Sequence, residues 1–517
     1  MREFCYIYRM KTIIKNLPNT IEELHEVIFN LQKTLQEKEH ELKNEKLKNA
    51  YLLEQFRLAR QERFAPKSEK NINQADLFDE AGIEKEEIKE EQATIEIKSH
   101  QRKKHPVRKP LPADLPREKI FHDIKEEDKI CACGEALSRI GEEITEQLKF
   151  IPATLSVIQH VRYKYACKPC QENVRIAPMP ILLLPKSNAT PELVAHTIVS
   201  KYADAIPLYR QSKIWDRVDI DLPRSTLCSW LINVAELCEP LVNITHKDML
   251  HDHYIQADES PIQVLKEPGR KDTSKSYLWV YRSNNNVIFD YQQTRGGYHA
   301  QQFLQDFKGY LQTDAYSGYH FTEKINDIIH VGCLAHARRP FAQLAKLATK
   351  EGLATKALLY FKDLYAIESY ARDNNLSYYE RYKLRNEKAP PILDEFKNWL
   401  LHYITKVPKQ HQLGKGIYYV LNNWETLTNY LKDGRLEIDN NKIENLIRPL
   451  AIGRKNYLFM GSPEGAKAGA IFYSLIATCT ANGVEPYKYF CTMLHQIRFC
   501  KSEDDYRKLL PQFIEFN

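Results

Sequence analysis

The sequence has no run of about eighteen apolar residues, so no hydrophobic membrane-spanning helix is expected. Its opening stretch, MREFCYIYRMKTIIKNLPNT, is basic but lacks a continuous apolar block and a small-residue cleavage site, so it does not read as a secretory signal. Paired thiols are scarce. Of 11 cysteines, Cys5, Cys228, Cys238, Cys333, Cys479, Cys491 and Cys500 stand alone, a pattern of reduced cytoplasmic thiols rather than a disulfide framework. A strong charge excess is also missing: a net charge of +6 over 517 residues permits nucleic-acid binding without arguing for it. Internal repeats are absent. What is present is a 43% hydrophobic content and 27% charged residues of mixed sign, enough for packed cores in roughly three to five units.

After an extension at 1–19, residues 20–65 read as one long helix. Thr20 and Glu23 form a capping box, and Ile21, Leu24, Ile28, Leu31, Leu35, Leu42, Leu52 and Phe56 recur at steps of about three and four. Lys38, Glu45 and Asn49 interrupt that seam, so the helix either pairs as a coiled coil or packs on its own protein. Residues 66–118 form a linker in which Arg102, Lys103 and Lys104 lead a Pro-broken basic run suited to DNA phosphates. Residues 119–180 hold Cys131-Ala-Cys133 and Cys167-Lys-Pro-Cys170. Four thiolates in two close pairs can wrap one tetrahedral Zn²⁺, and the aromatic sequence between them suggests short strands.

Residues 187–245 are helical in pattern, with a polar turn before Pro223. A helix-turn-helix is one reading, with Arg224, Ser225, Thr226 and Ser229 presented to a DNA groove; a plain helical connector is the other. Residues 250–335 change to strands. HYIQADES, SYLWVYRS, NVIFDYQQ, GYLQTDAY and DIIHVGCL are short and rich in Tyr, Val, Ile and Phe, with a helical stretch from Tyr298 between the third and fourth. A mixed sheet follows, and helical sequence dominates 336–435 before the Asp439-Asn-Asn cap of a helix in 436–495; 496–517 is a tail.

Asp258 ends the first of these strands and Asp314 the fourth. If the sheet order is 3-2-1-4-5, the two strands are parallel neighbours and their carboxylates converge. Such a pair repels unless a cation neutralises it, and Mg²⁺ favours those oxygen ligands. Glu444 is the third candidate, because Asn440 and Arg448 lie four residues either side on its helical face. Alternatively the aspartates are turn formers and Glu444 pairs with Arg448.

The run DNNKIENLIRPLAIGRKNYLFMGS (439–462) and YSLIATCTANGVEPYKY (473–489) closely resemble the insertion sequence 66 family of DDE transposases. So do ADESPIQV (257–264), LQTDAYSGY (311–319) and VGCLAHARRPF (331–341), and the match runs collinearly from about residue 20 to 495. The resemblance implies a multidomain α+β chain: a coiled-coil helix, a zinc module, a helix-turn-helix and an RNase-H-like catalytic core interrupted by a helical insertion. It places Asp258, Asp314 and Glu444 on the family's metal-binding acids, with two Mg²⁺ or Mn²⁺ ions per site and Asp258 bridging both. His336, Arg338 and Arg339 match one basic signature, and Arg448, Arg454 and Lys455 a second, both implied to contact DNA. Cys131 and Cys133 match a variant of its zinc module. Ser260 stands where threonine is expected, Leu334 where tryptophan is usual, and Asn445 where arginine is frequent. The implied activity is metal-dependent cleavage and strand transfer at terminal inverted repeats into target DNA, by a dimer or larger assembly, with small accessory proteins of the same element as partners. The expected location is the cytoplasm, on the nucleoid when DNA is bound. The rival reading is a non-catalytic DNA-binding regulator.

Overall fold

Runs of β-branched and aromatic residues with alternating burial build the sheet that organises the chain. The computed structural model describes residues 156–165, 175–176, 178–347 and 352–516, with position 20 and scattered helical positions between 25 and 42. Most of the 20–65 helix, the basic run Arg102, Lys103 and Lys104, and the thiols Cys131, Cys133, Cys167 and Cys170 lie outside the described residues. The chain divides into a unit of residues 86–180 and one of 1–85 with 181–517. In the smaller unit, β1 (Lys164–Tyr165) pairs antiparallel with β2 (Arg175–Ile176), within the stretch where short strands were expected.

In the larger unit, α1 (Pro191–Tyr202), α2 (Leu208–Asp216) and α3 (Arg224–Leu250) precede the sheet. Thr190 caps α1 by accepting from the Leu193 N–H, with Pro191 in the first turn where no amide partner is needed. Among the described residues α3 is the one helix long and apolar enough to cross a membrane by length and composition. It instead buries Leu227, Trp230, Leu231, Val234 and Leu241 in the protein core.

Strands β3 (Tyr254–Gln263), β4 (Lys275–Ser283), β5 (Asn286–Gln292), β6 (Gly309–Gln312) and β7 (Ile328–Val331) form one sheet in the order β5-β4-β3-β6-β7. β3 is antiparallel to β4 and parallel to β6, which is parallel to β7. This is the order 3-2-1-4-5 anticipated for the five strands. The β4–β5 hairpin turns through Asn284 at φ 50°, a left-handed conformation that asparagine tolerates. One correction concerns β3. Asp258 does not end it; the strand continues to Gln263 because its antiparallel pairing with β4 runs on, while the parallel pairing with β6 stops at Gln256.

The two faces of the sheet carry separate cores. Ile262, Leu278, Val280, Val287 and Phe289 pack under α1, α3, α11 (Pro463–Ala481) and α12 (Pro486–Gln496). Ile255, Ala257, Trp279, Tyr281 and Ile288 pack on the other side, near α4 (Gly297–Phe303). α11 also covers the β5 edge: Ser474 Oγ accepts from the Phe289 N–H at 2.8 Å and Thr478 Oγ1 from the Val287 N–H at 3.1 Å. Hydroxyls thus occupy donors that an uncovered edge would offer to another strand.

After β7, the helices α5 (Leu334–Leu347), α6 (Leu353–Asp373), α7 (Tyr378–Ile404), α8 (Gln412–Asn422) and α9 (Trp424–Thr428) share a third core, which includes Phe341, Phe361, Phe396 and Leu400. A connector over residues 429–440 then returns to the sheet, and α10 (Asn441–Tyr457) begins.

Glu437 in that connector gives a pH-dependent contribution. Burial opposes its charge, but Arg381 and Lys442 outweigh that and hold its carboxyl down at about 2 from an ordinary 4.5. A depressed carboxylate stabilises the fold above the unfolded value, and the benefit is lost as pH falls from about 4.5 to about 2. Acid titration of Glu437→Gln should show a shallower stability loss across that window than the parent chain; an unchanged slope would refute the assignment.

Candidate active site

Parallel register brings β3 and β6 together residue by residue: Gln256 lies opposite Gln312, and Asp258 and Asp314 stand two residues further along each chain. The two glutamines are fully buried and hydrogen-bonded, Gln256 Nε2 donating to Gln312 Oε1 at 3.0 Å. The same Nε2 reaches Asn440 Oδ1 at 3.2 Å, and Asn440 Nδ2 donates to the Ala257 carbonyl at 3.0 Å. Asn440 immediately precedes α10 and is 1% exposed, so a buried amide ladder fixes the start of that helix against β3. Glu444, one turn along, is thereby carried to the aspartates.

The electrostatics report the proximity. Burial pushes the Asp258 carboxyl well above its ordinary value, and the charges of Glu259, Glu444 and Asp314 push it further; the N–H of Glu259, donating to its Oδ1 at 2.8 Å, only partly opposes them. Glu444 is 5% exposed, and its Oε1 lies 3.7 Å from His336 Nδ1. Asp314 orders the next loop by accepting from the Tyr316 N–H at 2.9 Å. Mutually repelling carboxylates fit a divalent cation, because a dication converts their repulsion into attraction.

Sequence reasoning missed the cluster beneath them. Glu259 points to the opposite face from Asp258, as strand alternation requires. Its carboxylate accepts from Arg295 Nε at 2.7 Å and Tyr319 Oη at 2.9 Å, and Arg295 lies 3.7 Å over the Tyr316 ring. Tyr316 Oη donates back to the Arg295 carbonyl at 2.5 Å. The loop carrying Asp314 is therefore clasped to the strand carrying Asp258. The two adjacent acids of ADES were a signal for this pair; Arg295, in a Thr-Arg-Gly-Gly turn, gave none.

Comparison with known proteins shows the family of the chain. The family described as "Transposase IS66 family" matches residues 186–468, spanning all three acids. The chain belongs to the IS66 transposase family. The "zinc-finger binding domain of transposase IS66" matches 128–171, "Transposase C of IS166 homeodomain" 51–120, and the "IS66 C-terminal element" 474–512. Among relatives in Sinorhizobium fredii, uncharacterized protein y4jD is 33% identical over 75% of this chain and 78% of its own. Uncharacterized protein y4qI is 29% identical over 98% of this chain and 91% of its own. The Mos1 Strand Transfer Complex overlaps 48% of this chain and 78% of its own at 13% identity and a TM-score of 0.13, too low to bear on the fold. As a member of this family the chain is a DNA transposase. Its catalytic domain implies divalent metal use, and its zinc-finger domain suggests zinc.

The basic residues of this transposase sort by exposure. Arg338 and Arg339 are half-buried on α5, and Arg448 and Lys455 are exposed on α10. Arg454 is committed to β3, donating to Ser260 Oγ at 3.1 Å and to the Pro261 carbonyl. The hydroxyl at Ser260 thus serves as an acceptor. Leu334 is buried in the helical core, and Asn445 is exposed. Burial, then the charge of Arg339, push His336 down to about 4, so it is uncharged near neutrality. Arg224, Ser225 and Ser229 are exposed and Thr226 half-buried at the start of α3.

Proposed function

We propose that this transposase cuts and joins DNA by a two-metal DDE mechanism on an RNase-H-like core, with Asp258, Asp314 and Glu444 as the metal-holding acids. The observation that carries this reading is the amide ladder through Gln256, Gln312 and Asn440, which brings three acids far apart in sequence to one face of the sheet. The strand order and the long helical segment between β7 and α10 support the fold assignment. Mg²⁺ or Mn²⁺ ions bound there would activate the attacking water or 3′-hydroxyl and offset charge on the leaving oxygen. Asp258 feels the charges of both other acids, which supports a shared role for it in holding the metal ions. Arg295, paired with Glu259, partly offsets the negative charge that Glu259 adds beside Asp258.

End recognition is assigned to the zinc-binding segment, to α2 and α3 as a helix-turn-helix reading through Arg224, Ser225, Thr226 and Ser229, and to the arm with Arg102, Lys103 and Lys104. Self-association through the N-terminal helix is supported by the exposure of Leu35 and Leu42, 62% and 56%, which a second copy would cover. Small accessory proteins of the same element remain part of the proposal as partners.

A strand-transfer assay on labelled element ends with Mg²⁺ or Mn²⁺ tests the reading: products should require metal and vanish with a chelator, and metal-independent joining would overturn it. In the same complexes Arg448→Ala and Lys455→Ala should weaken binding evenly across sequences, each lowering the slope of log affinity against log salt by about 0.9. An unchanged slope would remove these residues from the DNA path.

A further inference from the structure

The same pocket holds a sulfur and a nitrogen that the DDE chemistry does not use. Cys333 directly precedes α5 and His336 lies in its first turn, a three-residue spacing that puts both side chains on one side. One ligand atom each from Cys333, His336 and Glu444 lie within 4.8 Å of one another. Two ligand atoms on one tetrahedral zinc ion, each about 2.0–2.2 Å from the metal, stand about 3.3–3.6 Å apart. His336 Nδ1 and Glu444 Oε1, at 3.7 Å, are close to that separation and too far apart for a hydrogen bond. His336 Nδ1 is buried and makes no hydrogen bond among the described residues. Cys333 Sγ accepts the Asn440 N–H at 3.2 Å, so the thiol is already oriented toward the start of α10.

We infer that Cys333, His336 and Glu444 form a binding site for a thiophilic divalent ion of the Zn²⁺ class, and that an ion there withdraws Glu444 from the Mg²⁺ site. Thiolate, imidazole and carboxylate together suit Zn²⁺ or Co²⁺, whereas Mg²⁺ has no use for sulfur. Water completes the fourth position, and binding releases the thiol proton to solvent. This site is distinct from the zinc-finger thiols, which are far earlier in the chain. The binding half stands on the three side chains alone; the inhibitory half rests on the proposed role of Glu444.

The test uses the full chain with its zinc-finger site loaded and excess metal removed, titrated with Co²⁺. One further equivalent should bind with a sulfur-to-cobalt charge-transfer band. Loss of a ligand should exceed the roughly 10–100-fold cost of disturbing a supporting contact, so Cys333→Ser and His336→Gln should each weaken binding at least about tenfold, with Cys333→Ser erasing the band. Cys333→Ser retains a hydrogen-bond acceptor for Asn440, and its thermal melt, together with that of Cys333→Ala, separates misfolding from ligand loss. No extra equivalent in the folded parent chain, or a band that persists in folded Cys333→Ser, overturns the site. In Mg²⁺-driven strand transfer, added Zn²⁺ should inhibit the parent and inhibit Cys333→Ser at least about tenfold less strongly; equal sensitivity overturns the inhibitory half. A parent chain that binds Co²⁺ through Cys333 but joins no DNA with Mg²⁺ would support this site while refuting the DDE reading.

Discussion

Asp258→Ala should reduce strand transfer by at least about a thousandfold, roughly 4 kcal/mol of transition-state stabilisation, while making the metal-free protein more stable. The two effects have one cause. Burial and the charges of Glu259, Glu444 and Asp314 raise the Asp258 carboxyl well above its ordinary range, so ionising it costs the folded state. The sign follows: a group whose folded value lies above its unfolded value, 3.8 here, binds more protons when folded, and its contribution to stability falls as pH rises past that unfolded value. In chelator, the variant should therefore melt above the parent at neutral pH and lose less stability as pH is raised. Added Mg²⁺ should raise the parent's melting temperature by mass action and leave the variant's nearly unchanged. End binding should persist, because the basic residues on α3, α5 and α10 are untouched. A variant that melts lower in chelator, or retains strand transfer, would show Asp258 to be an ordinary structural side chain.

Much of this site was readable because its parts are local. The strands between 250 and 335 carry their own alternation, and Asp258 and Asp314 each sit beside a recognisable apolar run. Glu444 was readable through Asn440, since a four-residue step on a helix is a local geometric fact. The misplacement of Asp258 at a strand end has an equally local source. Pro261 interrupts the pattern of ADESPIQV, and only the pairing with β4, about twenty residues later, shows that the strand continues. Cross-chain partnerships are harder to read. Glu259 meets Arg295 and Tyr319, and neither spacing nor composition announces that meeting. The same holds for the device that returns the chain from the helical segment to the sheet. Its members, Glu368, Arg381, Arg385 and Glu437, lie on three separate elements and form no motif.

That device should be the most costly part of the protein to break. Arg385 is fully buried, and its five N–H groups all have partners. Nε and Nη2 hold the two oxygens of Glu368 at 2.7 and 2.8 Å, and the remaining donors reach the carbonyls of Tyr430, Asp433 and Leu436. Arg381 joins Glu368 to Glu437, whose carbonyl accepts from Gln312 Nε2 at 2.9 Å. The connector therefore runs from a buried ion cluster to the amide ladder that places Glu444. It is packed so closely at Gly434 that a Cβ would stand 1.7 Å from the Tyr378 carbonyl oxygen. Arg385→Met would leave a buried carboxylate and three carbonyls without these donors, at a cost of about 3–5 kcal/mol. Arg385→Lys should recover little, since an ammonium on a flexible stem cannot reproduce the five-donor fork. Replacing Glu368 as well, in Glu368→Met/Arg385→Met, removes the stranded charge and should restore part of the loss, but the carbonyls of the connector stay unheld. Denaturant unfolding of the three variants measures the stability order. The apparent Mg²⁺ requirement for strand transfer, raised in the double variant despite its recovered stability, would show that the cluster sets Glu444 and does more than hold the fold. A cost below about 1 kcal/mol for Arg385→Met, within the range of a single ordinary hydrogen bond, would mean that the connector is held by packing alone.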